Sequence, residues 1–291
     1  MFEFEHCAGS TYYLRCFSNI GVYDPGDGNV ILIDSGDHKK SVSDLDAALT
    51  ERGWRVKLIV NTHAHGDHIV GNRFFKEKYG CSVYAPEIER ILAEFSALEP
   101  TYQYLGVPTN RKRNFFFKPH GTHAELLTPD VLPEGFEIVP LPGHSMNMFG
   151  VKTPDNVWFL GDAIVDPATY EGYHLPLFYD INKSIETARM LETLPGKLFV
   201  PSHTAAMEDI TDLCRYNAEA MEQNKRQILS VCDGKAFDDL FAAVCRLFGI
   251  DLDMDKYAKL VYTVRIYLQA LLEDGVLTAA LEDGKLVYHV L

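Results

Sequence analysis

The chain has 291 residues, 47% hydrophobic and 23% charged, an ordinary globular composition that excludes disordered, collagen-like and low-complexity classes. Twenty-seven Lys and Arg stand against 41 Asp and Glu, a formal net charge of −14, and a field of that sign repels nucleic acid and anionic membrane. The six Cys form no C-x-x-C pair, the first fifteen residues contain no long apolar run, and nothing approaches 18 consecutive apolar residues. The expectation is a soluble, cytoplasmic protein with reduced thiols, no secretory leader and no membrane span.

Up to about residue 205, short β-rich runs alternate with helical stretches. Strands are expected at 11–17, 29–34, 56–60, 82–85, 136–141, 157–160 and 197–200, and helices near 40–52, 72–79, 86–98 and 184–194. The pattern is α/β, with strands too short and numerous for a simple doubly wound sheet. After residue 205 the texture changes. The stretch 206–231 reads as a long helix, and Phe237, Leu240, Phe241, Val244 and Leu247 mark a second. A third runs near 255–273, with Tyr257, Leu260, Val261, Val264, Leu268 and Leu271 on one face and Gly275 as its stop. A hairpin then turns at Asp283-Gly284. Three helices and a terminal hairpin suggest a winged helix, so the expected division is a catalytic domain over 1–207 and a winged-helix-like domain over 208–291.

Five apolar runs end at a residue able to bind metal or orient a ligand: VILI at Asp34, LIV before NTHAHGDH, VPLPG at His144, FLG at Asp162 and FVPS at His203. Asp alone is common in turns, but five such endings suggest strand ends converging on one rim. In His63-Ala64-His65-Gly66-Asp67-His68, His63 and His65 are two apart and can point to one ion. Asp67 and His68 are adjacent, diverge, and can reach a second. Imidazole with carboxylate suits zinc, iron or manganese.

This pattern, His63-x-His65-x-Asp67-His68 followed by His144, Asp162 and His203, resembles the signature of the metallo-β-lactamase fold superfamily over roughly residues 10–205. The resemblance implies a four-layer αββα sandwich holding two divalent metal ions, zinc first, with iron or manganese as alternatives. It further implies His63, His65 and His144 on one ion, Asp67, His68 and His203 on the other, and Asp162 bridging them. Asp34 resembles the superfamily's first motif, mainly structural. The di-iron redox branch usually has Glu in place of His65, and several true β-lactamases use Cys or lack the Asp in the second site, so neither branch is expected.

Two divalent metals lower the pKa of a bridging water toward neutrality, and Asp67 is the expected catalytic residue, orienting the nucleophile and taking its proton. No G-x-S-x-G occurs. The expected activity is hydrolysis of a small ester, thioester or lactone. The rivals are a metal-dependent ribonuclease or phosphodiesterase, a mononuclear-iron persulfide dioxygenase and a metal-sensing winged-helix regulator. Residues 208–291 hold 15 acidic and 9 basic side chains, so DNA is not an expected partner and RNA is a poor one. A small-molecule substrate, no membrane and a possible homo-oligomer complete the expectation.

Other features are weaker. Residues 108–123 form a basic-aromatic stretch whose Arg111, Lys112, Arg113 and Lys118 could hold a distant anionic group, with Phe115–Phe117 as a lid hinge or stacking surface. His120 and His123 match no ligand position. After Asp162, the aromatic residues Tyr170 and Tyr173, with His174, could border the pocket, ordinary packing being the simpler expectation for each.

Overall fold

The computed structural model describes residues 4–104 and 121–291. Seven strands form one sheet in sequential order: β1 (Phe4–Ala8), β2 (Thr11–Leu14), β3 (Ile20–Tyr23), β4 (Asn29–Ile33), β5 (Arg55–Val60), β6 (Ser82–Ala85) and β7 (Glu125–Leu126). The first four strands run antiparallel as hairpins, whereas β4 through β7 are parallel and connected through helices. A second sheet has the order β11 (Leu198–Val200), β10 (Val157–Phe159), β9 (Phe149–Lys152), β8 (Glu137–Pro140), with β10 and β11 parallel.

Side-chain alternation assigns the layers. In β4, Ile31 and Ile33 point to one face and Val30 and Leu32 to the other. Ile31, Ile33, Leu58 and Val60 meet Val151, Val157, Phe159 and Val200 of the second sheet, forming the layer between the sheets. Val30, Leu32 and Ile59 pack instead against Val42, Leu45 and Leu49 of α1 (Lys39–Glu51) and Phe75 of α3 (Asn72–Tyr79). The outer face of the second sheet meets α7 (Ile181–Leu191) and α8 (Thr211–Leu229) through Trp158, Ile185, Ala188 and Met221. The result is helix, sheet, sheet, helix: the expected four-layer αββα sandwich. Truncating a fully buried member such as Leu32 or Leu45 to Ala costs roughly 2–5 kcal/mol.

The expected strands and helices of the first 205 residues are present, with ends shifted by a few residues. Four short strands, β1, β3, β7 and β9, carried no sequence expectation. Neither did α2 (Gly66–Ile69), α5 (Leu98–Gln103) or α6 (Pro167–Tyr173). The helix expected over 86–98 is shorter, α4 (Glu87–Glu94), and Phe95 leaves helical geometry with φ −113° and ψ 60°.

Beyond residue 207 the order is α8, β12 (Lys235–Ala236), α9 (Phe237–Leu247), α10 (Met254–Glu273), β13 (Leu277–Glu282) and β14 (Lys285–Val290), with a three-stranded sheet ordered β12-β14-β13. The hairpin turns at Asp283 and Gly284, both at positive φ, and Gly275 at φ +70° follows the end of α10. One hydrophobic cluster runs from Leu141 through Trp158 and Phe178 to Tyr267 and Tyr288, crossing residue 207 without a break. Buried polar contacts add to it. Asn217 of α8 accepts the Val165 N–H at 3.0 Å and donates to the Val165 carbonyl at 2.8 Å, just beyond Asp162. Lys225, also buried, reaches Asp274 at 2.5 Å and donates to Asn182 at 2.9 Å. Among the described residues no helix is long and apolar enough to cross a membrane.

Candidate metal centre

Because β4 and β5 are parallel, and β10 and β11 are parallel, their C-terminal ends emerge in pairs. The two pairs are tied together: the Asn19 N–H at the start of β3 donates to the Ser202 carbonyl at 2.8 Å, and the Phe149 N–H of β9 donates to the Thr62 carbonyl at 3.0 Å. Asp34, the segment 61–68, Asp162 and His203 therefore share one rim, and His144 joins them from the turn between β8 and β9. Two glycines make that approach possible. Gly143 precedes His144 at φ +128°, where a Cβ would lie 2.3–2.6 Å from Ser184. Gly161 precedes Asp162 at φ +55°, with Thr62 Oγ1 and Met148 Sδ at 3.0 and 2.9 Å from the same hypothetical atom.

The seven expected ligand residues fall into two groups that share Asp162. His63, His65, His144 and Asp162 form one; Asp67, His68, Asp162 and His203 form the other, and within each group the candidate ligand atoms lie within 4.8 Å of one another. His65 Nδ1 lies 2.9 Å from His144 Nε2, which is 3.2 Å from Asp162 Oδ2. On the other side, His203 Nε2 is 3.2 Å from Asp162 Oδ2 and His68 Nε2 is 3.3 Å from Asp162 Oδ1. Asp67 Oδ2 stands 3.6 Å from both His68 Nε2 and His203 Nε2.

The outer ring nitrogens fix how three of these rings are turned. His68 Nδ1–H donates to Asp34 Oδ2 at 2.8 Å, and His203 Nδ1–H donates to the Phe17 carbonyl at 2.7 Å. The Thr62 hydroxyl donates to Asp34 Oδ2 at 2.8 Å, which leaves its oxygen to accept from His63 Nδ1–H at 3.1 Å. Each arrangement occupies the outer Nδ1–H and turns Nε2 inward, where it offers a lone pair to an ion once the ring is neutral. Among the described residues, His63 Nε2, His68 Nε2 and Asp162 Oδ1 are buried with no hydrogen-bond partner. Buried polar atoms rarely go unsatisfied, and neutral imidazoles converging on carboxylates suit divalent cations. The residues present therefore fit a pair of such ions.

Charge in the metal-free chain is divided between the groups. Burial, with neighbouring His68 and His65, pushes His63 well below the usual histidine range, and burial with His144 does the same to His65. Burial also opposes the charged form of His68, but Asp162, Asp67 and Asp34 outweigh it and hold His68 well above that range. Against the same burial, Asp162 and Asp67 raise His203 to about 9. Asp162, despite burial, is held well below the carboxylate range by His203, His68 and His144.

Several contributors gave no sequence signal. Ser18 donates to Asp67 Oδ2 at 2.7 Å, and Phe17, 62% exposed, sets its ring edge-on to His203 at 4.9 Å. Glu89 is fully buried and accepts from Ala64 N–H, the Ser145 hydroxyl and Asn147 N–H at 2.9, 2.8 and 3.0 Å, joining the loops that carry His65 and His144. Burial raises its carboxyl while those three donors pull it back. Asp34, by contrast, sits where the sequence suggested, at φ +64°, its Oδ1 accepting the Thr62 N–H at 2.8 Å.

From the aromatic segment after Asp162, Phe178 is the side chain in contact with the site, its ring 6.0 Å from that of His144. Tyr170 packs into the core against Tyr216, and Tyr173 is exposed. His174, at φ +59°, accepts from Asn224 through its carbonyl at 3.3 Å. Of the basic-aromatic stretch, 108–120 lies outside the described residues, including Arg111, Lys112, Arg113, Phe115–Phe117, Lys118 and His120. His123 lies 2.9 Å from Glu94, at the surface and apart from both ligand groups.

Known proteins share this frame. The profile of the Metallo-beta-lactamase superfamily matches residues 13–203. Hydroxyacylglutathione hydrolases of Brucella ovis and Brucella abortus are 28% identical over 180 residues, 60% of this chain and 56% of theirs, so the match spans little more than half the length of those relatives. A beta-lactamase domain protein from Burkholderia ambifaria superposes with a TM-score of 0.74 at 16% identity, covering 99% of this chain and 94% of that one. A metallo-beta-lactamase family protein from Thermus thermophilus gives 0.68 at 18% identity over 94% of each chain. Family profile, fold and rim geometry agree: the chain belongs to the metallo-beta-lactamase superfamily.

Proposed function

We propose that this protein is a metal-dependent hydrolase that cleaves a small ester, thioester or lactone with two divalent metal ions, zinc foremost. The observation that carries the reading is the pair of ligand groups joined at Asp162, with all seven expected side chains on one rim. When bound, the ions would supply an activated water near pH 7 and polarise a carbonyl oxygen. His63, His65 and His144 would hold one ion, Asp67, His68 and His203 the other, and Asp162 both.

The chain's own residues do the rest. Asp67 is fixed through Oδ2 by the Ser18 hydroxyl, so it can orient the attacking water and take its proton without swinging away. Phe17, exposed beside His203, offers apolar surface to an acyl group, while Phe178, fully buried, packs behind His144. The acyl-hydrolase name of the Brucella relatives supports the same substrate class. Residues 208–291, with their helix–strand–helix–helix–strand–strand order, are read as a winged-helix-like module. Their 15 acidic against 9 basic residues, and the packing of α8 on the segment after Asp162, favour a structural wall over a nucleic-acid reader. The substrate is a small molecule, and the protein acts in the cytoplasm without a membrane or DNA partner.

Parallel kinetics on acyl thioesters, lactones, a phosphodiester analogue and short single-stranded RNA test the substrate class, with His63→Ala as control. Metal-dependent turnover of the acyl compounds, lost in His63→Ala, is the expected result. Cleavage confined to the phosphodiesters would replace this reading with a nuclease.

A further inference from the structure

The inner nitrogens of the site are explained by their outer partners for His63, His68 and His203, which use Thr62, Asp34 and the Phe17 carbonyl. His65 is turned the other way. Its Nδ1 points inward, 2.9 Å from His144 Nε2, so its Nε2 is the outer atom. That atom faces Glu99 Oε1 at 3.5 Å. Glu99 lies on α5, 2% exposed, and the same Oε1 accepts from Gln103 Nε2 at 2.8 Å. A buried carboxylate is costly unless it is paired. The amide of Gln103 fixes which way the carboxylate points without supplying a charge to balance it. A metal-loaded imidazole, whose remaining N–H becomes a stronger donor, supplies that balance.

We propose that Glu99 is a positioning residue for the His63/His65/His144 metal position, holding His65 by its outer Nε2–H so that Nδ1 is presented to the ion. The inference rests on the ligand assignment given above. It makes the two positions unequal in their supports: Asp34 at the end of β4 braces His68 directly and His63 through Thr62, whereas the His63/His65/His144 position is braced in addition by a helix inserted between β6 and β7. A purely structural Glu99 would matter for folding and leave the two metal affinities in their original ratio.

The test is a chelator-competition titration of zinc into the full-length protein, comparing wild type, Glu99→Gln and His65→Ala. Wild type should show two binding steps. Glu99→Gln, nearly isosteric, should weaken one step about ten- to a hundredfold, the same step that His65→Ala abolishes, with the other unchanged. Wild type taking up fewer than two zinc ions would instead overturn the ligand assignment. Two unaltered steps in a folded Glu99→Gln would overturn the role of Glu99 alone. A readout independent of any variant is the ring-nitrogen spectrum of His65 in the zinc-loaded wild type. Zinc on Nδ1 and a proton on Nε2 are expected, and the opposite tautomer contradicts the inference.

Discussion

His68 Nδ1 and Asp34 Oδ2 are 2.8 Å apart, and neither reaches solvent. Asp34 closes β4 and His68 sits on α2 after β5, so this contact joins the ends of two parallel strands to one metal position. The same carboxylate also takes the Thr62 N–H and hydroxyl, and Thr62 in turn orients His63. One residue thereby braces a ligand in each group.

Asp34→Ala should therefore cost both stability and metal. It strands buried donors on Thr62 and His68, each worth roughly 1–3 kcal/mol, and should lower zinc affinity by about ten- to a hundredfold. Asp34→Asn, whose side chain also tolerates positive φ, should keep the fold with a weakened site. Thermal unfolding and zinc titration of both variants check this. Unchanged zinc affinity in Asp34→Ala would remove Asp34 from the site's support.

Metal loading should be linked to protons at one group and not the other. In the metal-free chain His203 is raised to about 9 and His68 lies well above the histidine range, so both carry protons at neutral pH. An ion at the Asp67/His68/His203 position must expel them. Affinity there should fall as pH drops below about 9. His63 and His65 are held low and neutral, so their position loads near pH 7 without that penalty. For the empty protein the sign is reversed: a folded pKa above the ordinary 6.5 means that His203 adds stability below pH 6.5, lost as pH rises through about 9. Calorimetry in buffers of different ionisation enthalpy should find protons released in one of two steps. Equal release in both would contradict the division.

Gly143→Ala is expected to displace His144. The backbone there is at φ +128°, and the added methyl would meet Ser184 at 2.3–2.6 Å, so the turn must shift. Folding should weaken by on the order of 1–3 kcal/mol, and zinc binding should suffer at the His63/His65/His144 position. A variant with wild-type melting temperature and zinc affinity would show that the turn accommodates the change.

No tight complex with DNA or RNA is expected of the full chain, because residues 208–291 carry 15 acidic and 9 basic residues. An anisotropy titration at moderate salt checks this. Salt-sensitive, sub-micromolar binding would contradict it and favour the nuclease reading.

The site's inner ring was legible because its chemistry is concentrated. His63, His65, Asp67 and His68 lie within six residues, and Asp34, His144, Asp162 and His203 each close an apolar run. Its supports were not, since nothing local marks Ser18, Glu89 or Glu99. Ser18 meets Asp67 and Glu89 meets Asn147 across 49 and 58 residues of sequence, contacts that only the assembled sandwich creates. The same holds for the fold. The strand VILI shows its burial as a plain apolar run, whereas β3 and β9 are four residues each with an internal glycine and show no strict alternation. α5 carries Pro100, a residue that breaks helix interiors, in its first turn, where its missing N–H costs nothing.

A zinc count on Asp162→Ala tests the two-ion centre joined at Asp162. Asp162 Oδ2 lies 3.2 Å from both His144 Nε2 and His203 Nε2, one from each group, so its removal should weaken both positions together. Elemental analysis after zinc-replete purification should give close to two ions per wild-type chain and well under one in the variant, with the fold retained by circular dichroism. A variant that still holds two ions, or a wild type that never exceeds one, would rule out a two-ion centre joined at Asp162.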